Sequence, residues 1–326
     1  MKVSFVGCGK VAHFHLQALR QLGIEVISVC GRQDSENAKF FAKQYDIPRV
    51  YSSWSDLLSN EKPDAFWIVA HWQQIHNLLV PFIETGIPCF FEKPVALTPR
   101  KIEEAIRVRD RHKTKVLVGY NRRFYDFIAE VKDFISGHEV LAAQVNIPEL
   151  IRKYILDNEL EIIKNLWIYN SAHVLDLLYY LVGDLEIKAL YKKNDAGLGL
   201  PVSFNGIMRA TKRNFPIHLI ANWGTAGNFE IIFYCKGHMV KLSPLEKMSI
   251  YSGVQVSEPT AQCPIRVFSP ILQKESYVDT HFNPGFLRQA QNFIDTCIMG
   301  KSENTQAATL EDALKITTLC QKIQNG

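Results

Sequence analysis

The 326 residues suit two domains, each large enough to bury a core of its own. Hydrophobic residues make up 47% and charged ones 21%, the balance of a globular chain in water, and a net charge of +4 without a basic run interleaved with aromatics argues against a nucleic-acid partner. The seven cysteines are scattered, odd in number and without a Cys-x-x-Cys pair, which excludes a disulfide framework or zinc knuckle and points to reduced thiols in a cytoplasmic setting; no apolar stretch has membrane-spanning length and no leader precedes Lys2, so neither a membrane partner nor export is expected.

Val3, Phe5 and Val6 read as a buried strand that runs into Gly7-Cys8-Gly9-Lys10-Val11-Ala12, and residues 11–19 have the apolar spacing of a helix. A strand–turn–helix is the setting that a dinucleotide fingerprint requires. Gly7 permits the tight turn, Gly9 lets the backbone approach a pyrophosphate, and Ala12 stands where a third glycine would keep helix and strand close. Free N–H groups and the dipole at the helix N-terminus would hold the phosphates. The plainer alternative is a turn with no ligand.

Gly23 closes this helix, and residues 24–30 form a second strand followed by Gly31-Arg32. An acidic residue at that point would bind the ribose 2′-OH of NAD; Gly31 instead leaves room for a 2′-phosphate and Arg32 can hold it in a bidentate pair, so NADP(H) is favoured and NAD(H) stays open. In the alternative, Arg32 stacks on adenine while Asp34 reaches the ribose. Residues 34–45 read as a helix, 64–70 as a central parallel strand, 74–85 as a helix, 88–91 and 115–119 as further buried strands, and Thr98-Pro99 as the N-cap and first residue of another helix. Strands alternating with helices over short connections give a doubly wound parallel sheet.

Ala70, His71 and His76 surround the end of the central strand, at the nicotinamide edge of such a sheet. Glu92-Lys93-Pro94 lies just past another strand, where open α/β sheets bind ligands. There Lys93 can exchange a proton or polarise a hydroxyl; a surface lysine is the plainer alternative.

Beyond Tyr120 the pattern changes. Residues 125–136 read as a helix, 139–147 as a strand, and 148–166 as an irregular, partly helical insertion. Asn170 reads as the N-cap of a helix over 171–182, closed by Gly183. His173 and Asp176 share a face near its start. The histidine suits proton exchange near neutral pH, with Asp176 orienting it or holding a substrate hydroxyl; a satisfied helix-start histidine with a capping carboxylate is the plainer alternative. Residues 186–252 give successive strands without helices, an antiparallel sheet. Residues 253–283 carry no clear pattern, and 286–299 and 310–323 are amphipathic helices, the latter opened by a Thr309/Asp312 capping box. No histidine pair has metal-ligand spacing with a nearby acid, so no metal is expected.

Four motifs in one order carry a resemblance: Gly7 to Ala12 with His15, Glu92-Lys93-Pro94, Gly119-Tyr120-Asn121-Arg122-Arg123-Phe124, and Ala172-His173-Val174-Leu175-Asp176-Leu177 running on to Gly183. Together they resemble the glucose–fructose oxidoreductase / inositol dehydrogenase / MocA family of NAD(P)-dependent oxidoreductases. The resemblance implies an N-terminal Rossmann domain over 1–120. It implies a substrate-binding and oligomerisation α+β domain over 121–326, on a large open, mostly antiparallel sheet that makes a homodimer or homotetramer. It further implies that Glu92, Lys93 and Pro94 lie at the cofactor, that the Lys93–Pro94 bond is cis, and that His173 faces the nicotinamide and substrate. The implied reaction interconverts a secondary hydroxyl and a ketone on a sugar, cyclitol or nucleotide-linked sugar. Lys93 polarises the substrate oxygen, His173 or Tyr169 handles the proton, and Asn121 and Arg122 contact the ligand. Two positions depart from the family pattern: Tyr169 stands where many members carry an aspartate, and His71-Trp72 replaces a small residue or proline. Those departures leave open a catalytically inactive sensor of the same fold, or a partner subunit in a hetero-oligomer.

Overall fold

The structure, a computed structural model, describes residues 1–32, 36–301 and 306–326. The chain packs into two compact units, one of Met1–Phe124, Trp167–Asp176 and Thr280–Gln324, the other of Tyr125–Leu166, Leu177–Asp279 and Asn325–Gly326.

The first unit begins with β1 (Lys2–Val6), α1 (Lys10–Gln21), β2 (Glu25–Cys30), α2 (Glu36–Gln44), β3 (Arg49–Tyr51), α3 (Trp54–Asn60), β4 (Ala65–Ile68), α4 (Leu79–Ile83), β5 (Cys89–Phe91), α5 (Pro99–His112) and β6 (Val116–Val118). The strands are parallel in the order β3-β2-β1-β4-β5-β6. The winding direction reverses between β1 and β4, and a crevice opens outside the carboxyl ends of the strands at that point. Val3, Phe5, Ala65, Phe66, Trp67 and Ile68 are buried, as strands covered on both faces require. The buried hydroxyls among them are satisfied, Ser28 Oγ donating to Ser4 Oγ at 2.8 Å.

The helix expected over 74–85 is instead a 3₁₀ turn, Ile75–Asn77, followed by α4 from Leu79. Pro81 explains the break. Its ring would collide with the Asn77 carbonyl in a continuous α-helix, whereas as the third residue of α4 it sits in a first turn whose N–H groups have no intrahelical partner. The helix expected from Asp34 is described only from Glu36; Asp34 itself lies outside the described residues.

The chain continues through α6 (Ile128–Gly137), β7 (Val140–Asn146), α7 (Ile151–Leu156) and α8 (Leu160–Lys164). A π-helical turn, Trp167–Ser171, then leads straight into α9 (Ala172–Val182). This corrects the expected helix start. Asn170 lies inside the turn and is not a cap, because buried Trp167 and Ile168 extend the helical run upstream of it.

In the second unit, β8 (Leu185–Asn194), β9 (Pro201–Ala210), β10 (Phe215–Asn222), β11 (Glu230–Cys235), β12 (His238–Leu242), β13 (Lys247–Ser257) and β14 (Val267–Tyr277) join β7 in one sheet, ordered β14-β13-β12-β11-β7-β10-β9-β8. Every pairing is antiparallel except β7 with β10. Along β10, Phe215, Ile217, Leu219 and Ala221 are buried while Pro216 and His218 are exposed, so one face carries the core. The patternless stretch after Gly253 holds the end of β13 and all of β14.

The chain returns to the first unit with α10 (Phe286–Phe293), a π-turn at Ile294–Ile298, and α11 (Leu310–Asn325). α10 packs on α1, where the Phe286 ring lies 5.7 Å from that of Phe14 and 4.7 Å from that of His15. α11 opens with the expected capping box: Thr309 N donates to Asp312 Oδ2 at 3.1 Å, and Asp312 N donates to Thr309 Oγ1 at 3.3 Å.

Candidate active site

The site starts at the turn after β1. Gly7 has φ +104°, and a Cβ there would lie 2.5 Å from the Val69 carbonyl oxygen, so only glycine fits. Its N–H donates to the Cys30 carbonyl at 2.8 Å, tying the tips of β1 and β2 together. Gly9 differs: a Cβ there would meet nothing within 4 Å. Gly9 is the N-cap of α1, whose first turn contains no acid and no side-chain cap. The N-terminus of α1 therefore presents backbone N–H groups beside open space, which suits an anionic diphosphate.

That space is a cleft of about 630 Å³. Gly7, Cys8, Gly9, Lys10 and Val11 line one part of it, and Gly31 and Arg32 line the end beside β2. Of the other expected residues, Ala70, His71, Glu92, Lys93 and Tyr169 also line it, and His173, Asn121, Arg122 and Asp176 do not. Ala12 is fully buried at the helix–strand contact, and His76 is not among the lining residues, which in that segment are Gln74, Asn77 and Leu78. Pro94 is also off the lining; the Lys93–Pro94 bond is cis. Asn37, Ser52 and Trp54 line the cleft without having been singled out from sequence, and Trp72, noted there only as a departure from the family pattern, lines it too. Ser52, Trp54 and Trp72 follow the carboxyl ends of β3 and β4, which is the signal that could have found them.

Lys93 follows β5 and is held at both ends. Its backbone N–H donates to Glu92 Oε2 at 2.9 Å. Glu92 Oε1 is 2.7 Å from Nε2 of His15, a residue of α1 that is 1% exposed. Gly119, after β6, leaves room for this carboxylate, since a Cβ there would lie 2.8 Å from Glu92 Oε1. At the other end Lys93 Nζ donates to the Tyr169 carbonyl at 2.6 Å and lies 5.5 Å from the centre of the Tyr169 ring. Trp72 meets that ring edge-on at 5.5 Å. Tyr169 is thus brought to Lys93 through its carbonyl and its ring face.

His173 is half-buried, and its Nδ1 is enclosed without a hydrogen-bond partner. Its ring stands edge-on to Tyr120 at 5.9 Å. Burial, together with the charges of Lys93 and Arg122, holds the imidazole well below its ordinary value of 6.5, so it is neutral at physiological pH. Asp176 does not supply the orienting bond to His173 Nδ1 that their shared helix face suggested. It is fully buried and takes Arg123 bidentately, from Nε at 2.9 Å and Nη2 at 2.6 Å. Arg123 Nη1 reaches Asp312 Oδ2 at 3.1 Å as well. Burial pushes the Asp176 carboxyl up to about 6 against the pull of Arg123. Asn121 Nδ2 donates to the Pro284 carbonyl at 2.9 Å, and Arg122, beside it, is half-buried. Among the described residues no group of three or more His, Cys, Asp and Glu side chains could hold a metal ion.

The strand order, the glycine-only turn and the open helix N-terminus are those of a doubly wound α/β fold whose cleft suits a dinucleotide. Residues 1–120 match the GFO_IDH_MocA family, an oxidoreductase family with an NAD-binding Rossmann fold. It is 23% identical over 197 residues to an uncharacterized oxidoreductase, YrbE, of Bacillus subtilis, a match that takes in 59% of this chain and 56% of the relative. It is 27% identical over 265 residues to a D-apiose dehydrogenase of Paraburkholderia graminis, covering 71% of this chain and 67% of that one. The matched stretch thus spans little more than half the length of the Bacillus relative. Among solved structures, an oxidoreductase from Thermotoga maritima superposes with a TM-score of 0.79 at 15% identity, covering 100% of this chain and 96% of that one, and so shares the fold. No helix among the described residues is long and apolar enough to cross a membrane.

Proposed function

We propose that the chain is an NAD(P)-dependent dehydrogenase or reductase that interconverts a secondary hydroxyl and a ketone on a sugar, cyclitol or nucleotide-linked sugar. The observation that carries this reading is Lys93, which follows β5 and lines the same cleft as the glycine turn. The likeness to a D-apiose dehydrogenase supports a carbohydrate substrate.

Gly7 to Val11 and the N-terminus of α1 would hold the diphosphate of the cofactor, and Gly31 with Arg32 favours a 2′-phosphate, hence NADP(H). When bound, the nicotinamide supplies or accepts the hydride. Lys93 donates a hydrogen bond from Nζ to the substrate oxygen and stabilises the negative charge that grows there as the carbonyl is reduced or the alcohol is deprotonated. His173, held neutral, accepts the hydroxyl proton on oxidation and returns it on reduction. Arg122 and Asn121 help to bind the ligand. Tyr169 and Asp176 position their neighbours, the first by its carbonyl on Lys93 and the second by fixing Arg123. Homo-oligomer formation through the eight-stranded sheet remains part of this reading.

The test begins with NADPH and NADH titrations monitored by nicotinamide fluorescence, in which Arg32→Ala is expected to weaken NADPH and leave NADH nearly unchanged. Turnover is then followed on a panel of keto-sugars and cyclitols. Lys93→Met should lower kcat on the order of a hundredfold to a thousandfold while still binding NADPH. Full activity in that variant would end the mechanism, and tight cofactor binding with no turnover on any substrate would favour a sensor.

A further inference from the structure

His15 stands in the second turn of α1, the helix whose N-terminus opens on the cleft, yet its side chain reaches the loop after β5. In the sheet β4 lies between β1 and β5. The imidazole spans that distance, 5.7 Å from the ring of Trp67 on β4 and 5.1 Å from that of Phe90 on β5, with Phe286 of α10 at 4.7 Å. An N–H on a ring 1% exposed among aromatic neighbours calls for an acceptor. Glu92 supplies it. Its Oε1 lies 2.7 Å from His15 Nε2, while its Oε2 accepts the backbone N–H of Lys93 at 2.9 Å. His15 Nδ1 is enclosed without a hydrogen-bond partner, and a hydrogen there would be stranded, so Nε2 carries the hydrogen and donates it to the carboxylate. The two carboxylate oxygens thus answer to two elements, one to α1 and one to the backbone at Lys93. The carboxylate also sits against Gly119, where a Cβ would lie 2.8 Å from Oε1.

We propose that His15 is a positioning residue for Lys93: by holding the Glu92 carboxylate it fixes the Lys93 backbone relative to α1, so that one side chain sets the spacing between the glycine turn and the polarising ammonium. This rests on the reading of Lys93 as the polarising group, but its first test needs no substrate.

Two substitutions separate positioning from packing. His15→Phe suits the aromatic surroundings and loses the donor, whereas His15→Gln fills them less well but brings an amide N–H to the place of Nε2. The intact chain is labelled with nitrogen-15 in lysine and histidine, and the Lys93 amide and His15 ring signals are assigned by their loss in Lys93→Met and His15→Gln. Long-range proton–nitrogen correlations in the unsubstituted protein should place a hydrogen on His15 Nε2. The Lys93 amide proton, displaced downfield by its bond to Glu92, should move upfield in His15→Phe and keep its place in His15→Gln. Circular dichroism establishes that each variant is folded; if His15→Phe is not, His15→Leu is read in its place. On a substrate that the unsubstituted chain turns over, His15→Phe should lower kcat about a hundredfold at unchanged NADPH affinity, and His15→Gln should keep most of the activity. A hydrogen on Nδ1 alone, a Lys93 amide that stays in place in the folded apolar variant, or that variant more active than His15→Gln overturns the proposal. Undiminished turnover in Lys93→Met would instead strike the proposed function and leave the amide comparison standing, so the two failures are told apart.

Discussion

His173 shows how far surroundings alter a side chain's chemistry. In water its imidazole would be partly protonated at pH 6.5; burial and the neighbouring cations keep it neutral well below that. The sign for stability follows. Between the lowered folded value and 6.5 the unfolded chain binds a proton at His173 that the folded chain does not, so stability falls as pH drops through that window and is unaffected above it. Urea unfolding between pH 7 and pH 5 should show a smaller loss in His173→Asn than in the unsubstituted protein; equal slopes would refute the buried neutral imidazole. For catalysis, the acidic limb of kcat/KM in the oxidative direction should lie below 6.5. Sequence spacing marked His173 as a candidate but could not supply its charge state, which depends on Lys93 and Arg122, distant in the chain. Gly7 was legible because the left-handed φ of its turn is a local need, whereas the close approach of the Val69 carbonyl was not. The bond between His15 and Glu92 was not, because 77 residues separate the partners.

At the scale of elements, the strands of the first sheet were readable because they are continuous apolar runs, and the Thr309/Asp312 cap because it is a local pattern. β3 was not, with only Arg49, Val50 and Tyr51, none of them buried. Nor was β14, exposed along nearly all its length and so without alternation. The start of α9 was misread because a capping preference at Asn170 competes with apolar burial upstream, and burial wins. α9 is anchored through Arg123, which joins Asp176 to Asp312 at the head of α11. Removing one partner of a buried ion pair leaves the other charge uncompensated, so Arg123→Ala should lower the unfolding free energy by about 3–5 kcal/mol. Chemical denaturation reads that directly. A change below about 1 kcal/mol, the range of an exposed pair, would show that the network is solvated.

At the scale of the molecule, the doubly wound sheet and the mostly antiparallel one were both legible in outline from the switch between alternating elements and successive strands. The interleaving of the chain was not, because Trp167–Asp176 and Thr280–Gln324 return to the first unit through contacts no local pattern reveals. Phe286 closes over Phe14 and His15 of α1, and Ala308 bridges Val118 at the last strand of the parallel sheet. A polypeptide ending at residue 120 would therefore carry the whole nucleotide fingerprint but leave one flank of its first helix greasy and its last strand unflanked. Expressed alone, it should aggregate or bind ANS dye strongly, and adding residues 280–326 in trans should lessen both; a monomeric, dye-free 1–120 that takes up NADPH would contradict this. During synthesis the same geometry means that the cleft beside the glycine turn gains its full support only once residues 280–324 have left the ribosome.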